Sequence, residues 1–315
     1  MAPEAQNPTA SRETQAADAP RVTVLMPCFN TQRYIAQAVM SILDQDFADL
    51  EMLVIDDGST DDSPRILRDL AREHDRLRVV CREQNLGLCA TLNEGLGLAR
   101  GAYLGRLDAD DVALPGRIAA QVAALDADPQ LVAVGGQADA IDERGDVIAD
   151  YDVPTDHEAI EAMHLQGDSA IHHPAVMLRL DAVKRVGGYL AELVPCEDYD
   201  LWMKLGEVGR VANLPQKVVH KRMLTSGAVV TMSDKQHDRS TRALRAAWDR
   251  RGLPGEPPMP DSAPLSKADF YRQWGWMALR RRGRAGAWRY AVKALRAQPM
   301  AVASWKLAAC AARGR

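Results

Sequence analysis

The 315-residue chain lacks most features that mark specialised classes of protein. Aromatic residues make up 5% of it, and no uninterrupted apolar run reaches the roughly 18 residues that cross a bilayer, so no membrane-spanning helix is expected. The five cysteines (Cys28, Cys81, Cys89, Cys196, Cys310) are odd in number and scattered, with no paired metal-type spacing. They read as free thiols in a reducing compartment. There is no phosphate loop ending in Gly-Lys-Ser/Thr, no Gly-x-Ser-x-Gly elbow and no His-Glu-x-x-His. Gly95, Gly97 and Gly101 miss the dinucleotide-binding spacing and fall within or just after a predicted helix. Charge of one sign is also lacking: 39 Lys and Arg stand against 43 Asp and Glu, a net of -4, which argues against a dedicated nucleic-acid binder.

What is present is ordinary globular composition, 47% hydrophobic and 26% charged, long enough for one large or two modest domains. The near-neutral total conceals an imbalance. Residues 267–315 carry 12 Lys and Arg against the single acid Asp269, a net of +11, which leaves -15 for residues 1–266. The same tail holds four of the six tryptophans: Trp274, Trp276, Trp288 and Trp305. Residues 1–20 lack a basic, apolar leader and are rich in Ala, Pro, Gln and Thr, so a disordered lead-in and a cytoplasmic location are expected. Residues 251–265, with their five prolines, read as a linker between an acidic body and a basic tail.

Within the body, the apolar runs Val22–Met26, Leu50–Ile55, Leu77–Val80 and Tyr103–Leu107 predict buried strands. Three-to-four spacing between them predicts helices: one after a cap at Asn30, one from Ser63 with Pro64 at its first position, and one over Leu88–Ala99. Alternating strands and helices imply βαβ units in a parallel sheet covered on both faces. Such sheets bind ligands beyond the carboxyl ends of their strands. Three of the four strands end in polar clusters, at Cys28–Asn30, Asp56–Asp57 and Asp108–Asp111, which must converge on one edge. The second half is less regular. It offers strands at Leu131–Val134, Gly145–Ile148 and Ala175–Leu178, a helix capped by Asp156, and another opening at Glu197.

Three carboxylates in four residues, Asp108, Asp110 and Asp111, repel one another unless a cation or solvent relieves them. Hard oxygen ligands suit Mg2+ or Mn2+, which leave positions open for phosphate oxygens. The alternative is a solvated acidic turn. Asp56 and Asp57 can accept hydrogen bonds from a base imide or ribose, or can simply form a turn with Gly58. Glu197, Asp198 and Asp200 at a helix start can be caps stabilised by the dipole, or one of them can be a general base. His172 and His173 can contact phosphate or serve the fold.

Together these pieces resemble the inverting GT-A glycosyltransferases of family 2. The matching stretches are Val22–Asn30 (VTVLMPCFN), Val54–Asp61 (VIDDGSTD), Asn85–Gly87 (NLG), Arg106–Asp111 (RLDADD) and Glu197–Trp202 (EDYDLW). His173–Met177 and Val186–Tyr189 look like the family's acceptor half. The resemblance covers about residues 21–232. It implies a GT-A domain over 21–250, mainly parallel in its sheet, with a nucleotide-sugar half (21–111) and an acceptor half (112–250). It further implies a nucleotide-sugar donor, most often a UDP-sugar, a divalent cation (Mn2+ or Mg2+), and a glycan or lipid-linked acceptor for a surface polysaccharide. By matching position Pro27 and Phe29, with Asn30, would lie against the base, and Asp57 rather than Asp56 would bind uracil. Asn85 and Gly87 would border the donor, Arg106 and Asp108 the ribose and sugar, and Asp110 with Asp111 the metal. Asp198 would be the base, with Glu197 the alternative.

Two departures stand out. The Gln-x-x-Arg-Trp pattern of processive synthases is missing after Asp198, so single addition is expected. Leu224 stands where family members often carry a metal-side His, and His220 is the nearest substitute. A sugar nucleotidyltransferase is disfavoured because Pro27–Asn30 is not a glycine-rich loop, and a non-catalytic module because both acidic motifs are intact.

In the tail, Phe270, Trp274, Met277, Ala278, Ala287, Tyr290, Ala291, Ala294 and Leu295 recur at helical spacing opposite a row of arginines. A cationic helix of this kind can lie on an anionic membrane at the inner face, each base near the surface adding about 1 kcal/mol. Alternatively its apolar face packs on the body. No nucleic-acid partner is expected.

Overall fold

The computed structural model describes residues 19–258 and 264–314. The expected lead-in lies outside the described residues except for its last two, as does the centre of the expected linker.

The first half is built as its apolar runs require. Strand β1 (Val22–Cys28), helix α1 (Ile35–Leu43), β2 (Leu50–Asp56), α2 (Ser63–Glu73), β3 (Leu77–Cys81), α3 (Leu88–Leu98) and β4 (Tyr103–Arg106) alternate along the chain. All seven residues of β2 are buried, as a central strand covered on both faces must be. Pro64 sits in the first turn of α2. The Asn30 cap does not form. Helix α1 begins only at Ile35, and Asn30 adopts a left-handed backbone with φ 53°. There its side-chain oxygen accepts from the Thr60 amide at 2.8 Å, and its own amide donates to the Ser59 hydroxyl at 2.8 Å. The residue ties the loop after β1 to the loop after β2.

The second half continues through β5 (Val112–Ala113), α4 (Arg117–Ala127), β6 (Leu131–Ile141), β7 (Val147–Tyr151), α5 (His157–His164), β8 (Met177–Arg179), α6 (Leu180–Arg185), α7 (Glu197–Val208) and β9 (Arg210–Arg222). Two helices follow, α8 (Ala228–Thr231) and α9 (Ser233–Arg250). Asp156 caps α5 by accepting from the Ala159 amide at 2.9 Å. Among the described residues the nine strands form one sheet in the order β3-β2-β1-β4-β8-β6-β9-β5, with β7 beside β6. Strands β1 to β4, β6 and β9 run one way and the other three run against them, so the sheet is mixed but mainly parallel. Helices cover both faces over two apolar clusters, one holding α1 and α4 and the other α3, α6 and α7.

The tail forms α10 (Lys267–Arg280), α11 (Arg284–Ala297) and α12 (Val302–Arg313). Helix α10 starts with a reciprocal capping box between Ser266 and Asp269. Phe270, Trp274, Ala278, Ala287 and Tyr290 are buried in one cluster with Ala140, Ile148 and Ala149 of the β6–β7 hairpin. The apolar stripe that could have entered lipid is therefore consumed within the protein. Some of the bases opposite it are used as well. Arg289 pairs with Asp142 and Asp146, Lys293 with Glu143 at 2.7 Å, and Arg281 with Asp150 at 3.2 Å.

Candidate active site

The parallel strands deliver their carboxyl ends to one edge, where two cavities adjoin. The larger, about 700 Å³, is lined by Pro27, Phe29, Asn30, Asp57, Asn85 and Gly87, together with Asp108 and Asp110. The smaller, about 360 Å³, is lined by Arg106, Asp108, Asp110, Asp111, Glu197 and Asp198. Asp108 and Asp110 border both. Five separate segments of the chain thus meet near the topological switch between β1 and β4. Asp56 lines neither cavity. It is buried beneath the turn, where one oxygen accepts from the Ser59 amide at 3.2 Å.

Asp57 is held by three donors: Arg82 Nη1 at 2.7 Å, and the amides of Leu86 at 2.9 Å and Gly87 at 2.8 Å. Gly58 lets this loop close. Its φ is +73°, and a Cβ there would stand 2.7 Å from the Gln84 carbonyl carbon. Arg82, which also pairs with Glu94, went unread in the sequence. It follows the end of β3, so strand-end reasoning applied to the fourth strand would have found it.

The acidic triplet behaves as three crowded carboxylates should. Candidate ligand oxygens of Asp108, Asp110 and Asp111 lie within 4.8 Å of one another. Burial, then the Asp108 charge, pushes Asp110 up to about 7. Burial and the two neighbouring carboxylates push Asp111 well above the usual range. One Asp111 oxygen accepts from the Arg222 amide at 2.6 Å, while the other is buried without a partner. Hard oxygens crowded together, with an orphaned buried acceptor among them, fit a divalent cation. Arg222 braces the turn, donating through Nε to the Asp110 carbonyl at 2.8 Å. Arg106, 1% exposed, pairs with Asp108. Beneath them the buried Arg117 donates to the backbone carbonyls of Arg106 at 2.7 Å and Pro174 at 2.8 Å. Neither Arg222 nor Arg117 was singled out in the sequence, because their partners are distant along the chain.

Across the smaller cavity, α7 opens with Glu197 and Asp198. Burial, then the Asp198 charge, pushes Glu197 to about 8. Asp198 is also raised by burial, but it is partly exposed and one oxygen accepts from the Tyr199 amide at 2.8 Å. At neutral pH Glu197 therefore tends to keep its proton, while Asp198, raised as well, is the more accessible member of the pair. Both histidines are tied into the fold, and His173 also lines the smaller cavity. His172 Nε2 lies 3.2 Å from the Tyr151 carbonyl, and His173 Nε2 lies 3.0 Å from the Tyr189 hydroxyl. Burial holds both below the ordinary imidazole range, His172 at about 4. Leu224 borders both cavities, whereas His220 faces Asp139 at 3.5 Å and lines neither.

A mainly parallel sheet with an acidic triplet at its switch point and a carboxylate pair opposite defines the GT-A class of fold. The profile of Glycosyl transferase family 2 matches residues 23–187, just over half of the chain. The chain belongs to that family and is a glycosyltransferase. An uncharacterized glycosyltransferase of Haemophilus influenzae is 29% identical over 236 residues, 72% of each chain. A chondroitin synthase of Escherichia coli is 28% identical over 259 residues, which span 82% of this chain but only 36% of the synthase. Among solved structures, the mannosyltransferase PcManGT from Pyrobaculum calidifontis, in complex with GDP-Man and Mn2+, matches with a TM-score of 0.56 and 22% identity over 95% of this chain and 81% of that one. TarS 1-349 of S. aureus in complex with UDP-GlcNAc matches with a TM-score of 0.59 and 18% identity over 92% of this chain and 79% of that one. At these identities the structural likeness is one of fold.

Proposed function

We propose that the protein is an inverting transferase that moves one sugar at a time from a nucleotide-sugar donor to a hydroxyl of a glycan or lipid-linked acceptor. The observation that carries this reading is the junction of two cavities at Asp108 and Asp110, with Glu197 and Asp198 lining the smaller one. The larger cavity suits the nucleotide: Phe29, 46% exposed, offers a face to the base, and Asp57, held in place by Arg82, offers an acceptor to its edge. The imide of a uracil would donate to that acceptor, so a UDP-sugar is the expected donor. The GDP-Man and UDP-GlcNAc bound by the structural neighbours belong to the same class of ligand.

Asp110 and Asp111 would hold Mn2+ or Mg2+, with Asp108 beside them. When bound, that cation offsets charge on the departing diphosphate. Asp198 accepts the proton of the acceptor hydroxyl as that oxygen bonds to the anomeric carbon, and the electrons of the breaking bond leave on the diphosphate. With one carboxylate acting as base and no covalent intermediate, the anomeric configuration inverts. Arg106, paired with Asp108, positions the sugar side of the donor.

Membrane association is proposed on a different surface from the helical stripe. Met300 (91% exposed), Val302 (82%) and Trp305 (60%) sit at the start of α12 beside Lys306, a set suited to an anionic interface. The central test incubates the full chain with a panel of nucleotide sugars and Mn2+ and follows nucleoside diphosphate release, with product configuration read by NMR. Release from a UDP-sugar with an inverted product is expected; no release from any donor would sink the proposal.

A further inference from the structure

The smaller cavity has a second wall whose origin the motifs do not announce. Besides the carboxylates it is lined by Phe270, Gln273 and Trp274 of α10, together with Met223 and Val230. Residues some 70 positions beyond Asp198 thus line the same cavity. This wall is rigid. Trp274 and Phe270 are 3% and 7% exposed, their ring centroids lie 5.9 Å apart, and Trp274 meets Tyr290 of α11 edge-on at 5.7 Å. Arg281 at the end of α10 is anchored to Asp150 at 3.2 Å, which fixes the helix to the hairpin. Gln273 is exposed and alone on this wall carries an amide that both donates and accepts.

Resting on the transferase reading above, we infer that the C-terminal helices are the acceptor-specificity element, with Phe270, Gln273 and Trp274 forming the subsite for a carbohydrate acceptor. A sugar ring has a C–H face and a hydroxyl edge. The apolar wall matches the first, and Gln273 with the facing carboxylates matches the second. Seated between them, the ring presents one hydroxyl to Asp198 while the larger cavity remains free for the donor. A plain alkyl alcohol would leave Gln273 and the charged side unmatched, which costs affinity.

The test uses full-length wild type, Gln273→Trp and Phe270→Leu, each checked for an unchanged melting profile. The UDP-sugar that gives release is supplied with Mn2+, and p-nitrophenyl glycosides and octanol serve as acceptor probes. Gln273→Trp, which fills the cavity from an exposed position, is expected to raise the glycoside KM at least tenfold while the donor KM shifts less than twofold. Phe270→Leu is expected to raise the glycoside KM a few-fold. An unchanged glycoside KM in Gln273→Trp, a parallel rise in donor KM, or octanol serving as well as the glycosides would overturn the inference. If wild type releases no nucleoside diphosphate from any nucleotide sugar, the transferase reading fails by itself. Hydrogen exchange of residues 267–280 then decides separately: slowing by the glycosides supports the subsite, and no slowing removes it.

Discussion

Glu197 and Asp198 are neighbours in the chain, yet their surroundings differ. The more deeply buried Glu197 holds its proton to about 8, whereas Asp198 keeps one oxygen on the Tyr199 amide and remains partly open to the cavity. If Asp198 is the base, kcat/KM at saturating Mn2+ falls on the acid side as Asp198 takes up its proton. That limb is expected above the ordinary aspartate range, the direction in which burial moves Asp198. A limb centred near 8 would assign the role to Glu197. The same burial makes a stability prediction. A carboxyl whose folded value is raised favours folding fully below its unfolded value near 4.5, and the contribution is lost as pH climbs toward 8. Glu197→Gln removes that loss, so thermal melts should show the variant gaining on wild type at pH 8 but not at pH 4. Equal differences at both pH values would contradict the assignment.

At the scale of elements, β1 to β4 were legible because parallel strands buried on both faces are written as short apolar runs. The donor-side residues followed, since strand ends locate the edge. Strand β6 was read only to Val134, because Gly135-Gly136-Gln137 looks like a break, yet it runs to Ile141. The glycines are there for close approach rather than a turn. A Cβ on Gly135 would stand 2.1 Å from Asn213 Oδ1, and Asn213 is itself held by bonds to the Pro154 carbonyl at 2.7 Å and the Ala170 carbonyl at 2.9 Å. Gly135→Ala should therefore destabilise the protein by about 1–3 kcal/mol through overpacking, measured by urea unfolding. Strand β9 was not read at all, its pattern interrupted by Asn213, Pro215 and Lys217. It is recognisable only from its partners, β5 and β6. Arg117 and Arg222 were hidden for the same reason: a buried arginine declares its job only when the carbonyls it binds are in place.

For the whole molecule, the net charge of -4 arises from a +11 tail set on a -15 remainder, and the two are partly spent on each other. Arg281, Arg289 and Lys293 meet Asp139, Asp142, Asp146, Asp150 and Glu143, which seats the three helices on the β6–β7 hairpin and brings α10 to the cavity. Tail composition was legible; its docking site was not, since the acids it meets lie more than 100 residues earlier. Among the tail residues still exposed, Met300, Val302 and Trp305 group at the start of α12. Full-length protein should sediment with anionic vesicles, and the double substitution Val302→Glu with Trp305→Glu should reduce that binding at least tenfold; equal binding by both would remove the membrane role.

The account turns on a single proton acceptor, and its most direct test is turnover of Asp198→Asn beside wild type and Glu197→Gln under the same donor, acceptor and Mn2+. General base removal typically costs about 10²- to 10⁴-fold in rate. Asp198→Asn is expected to lose at least the lower of these while donor KM stays close to that of wild type. Normal turnover in Asp198→Asn, with the loss falling on Glu197→Gln instead, would contradict it.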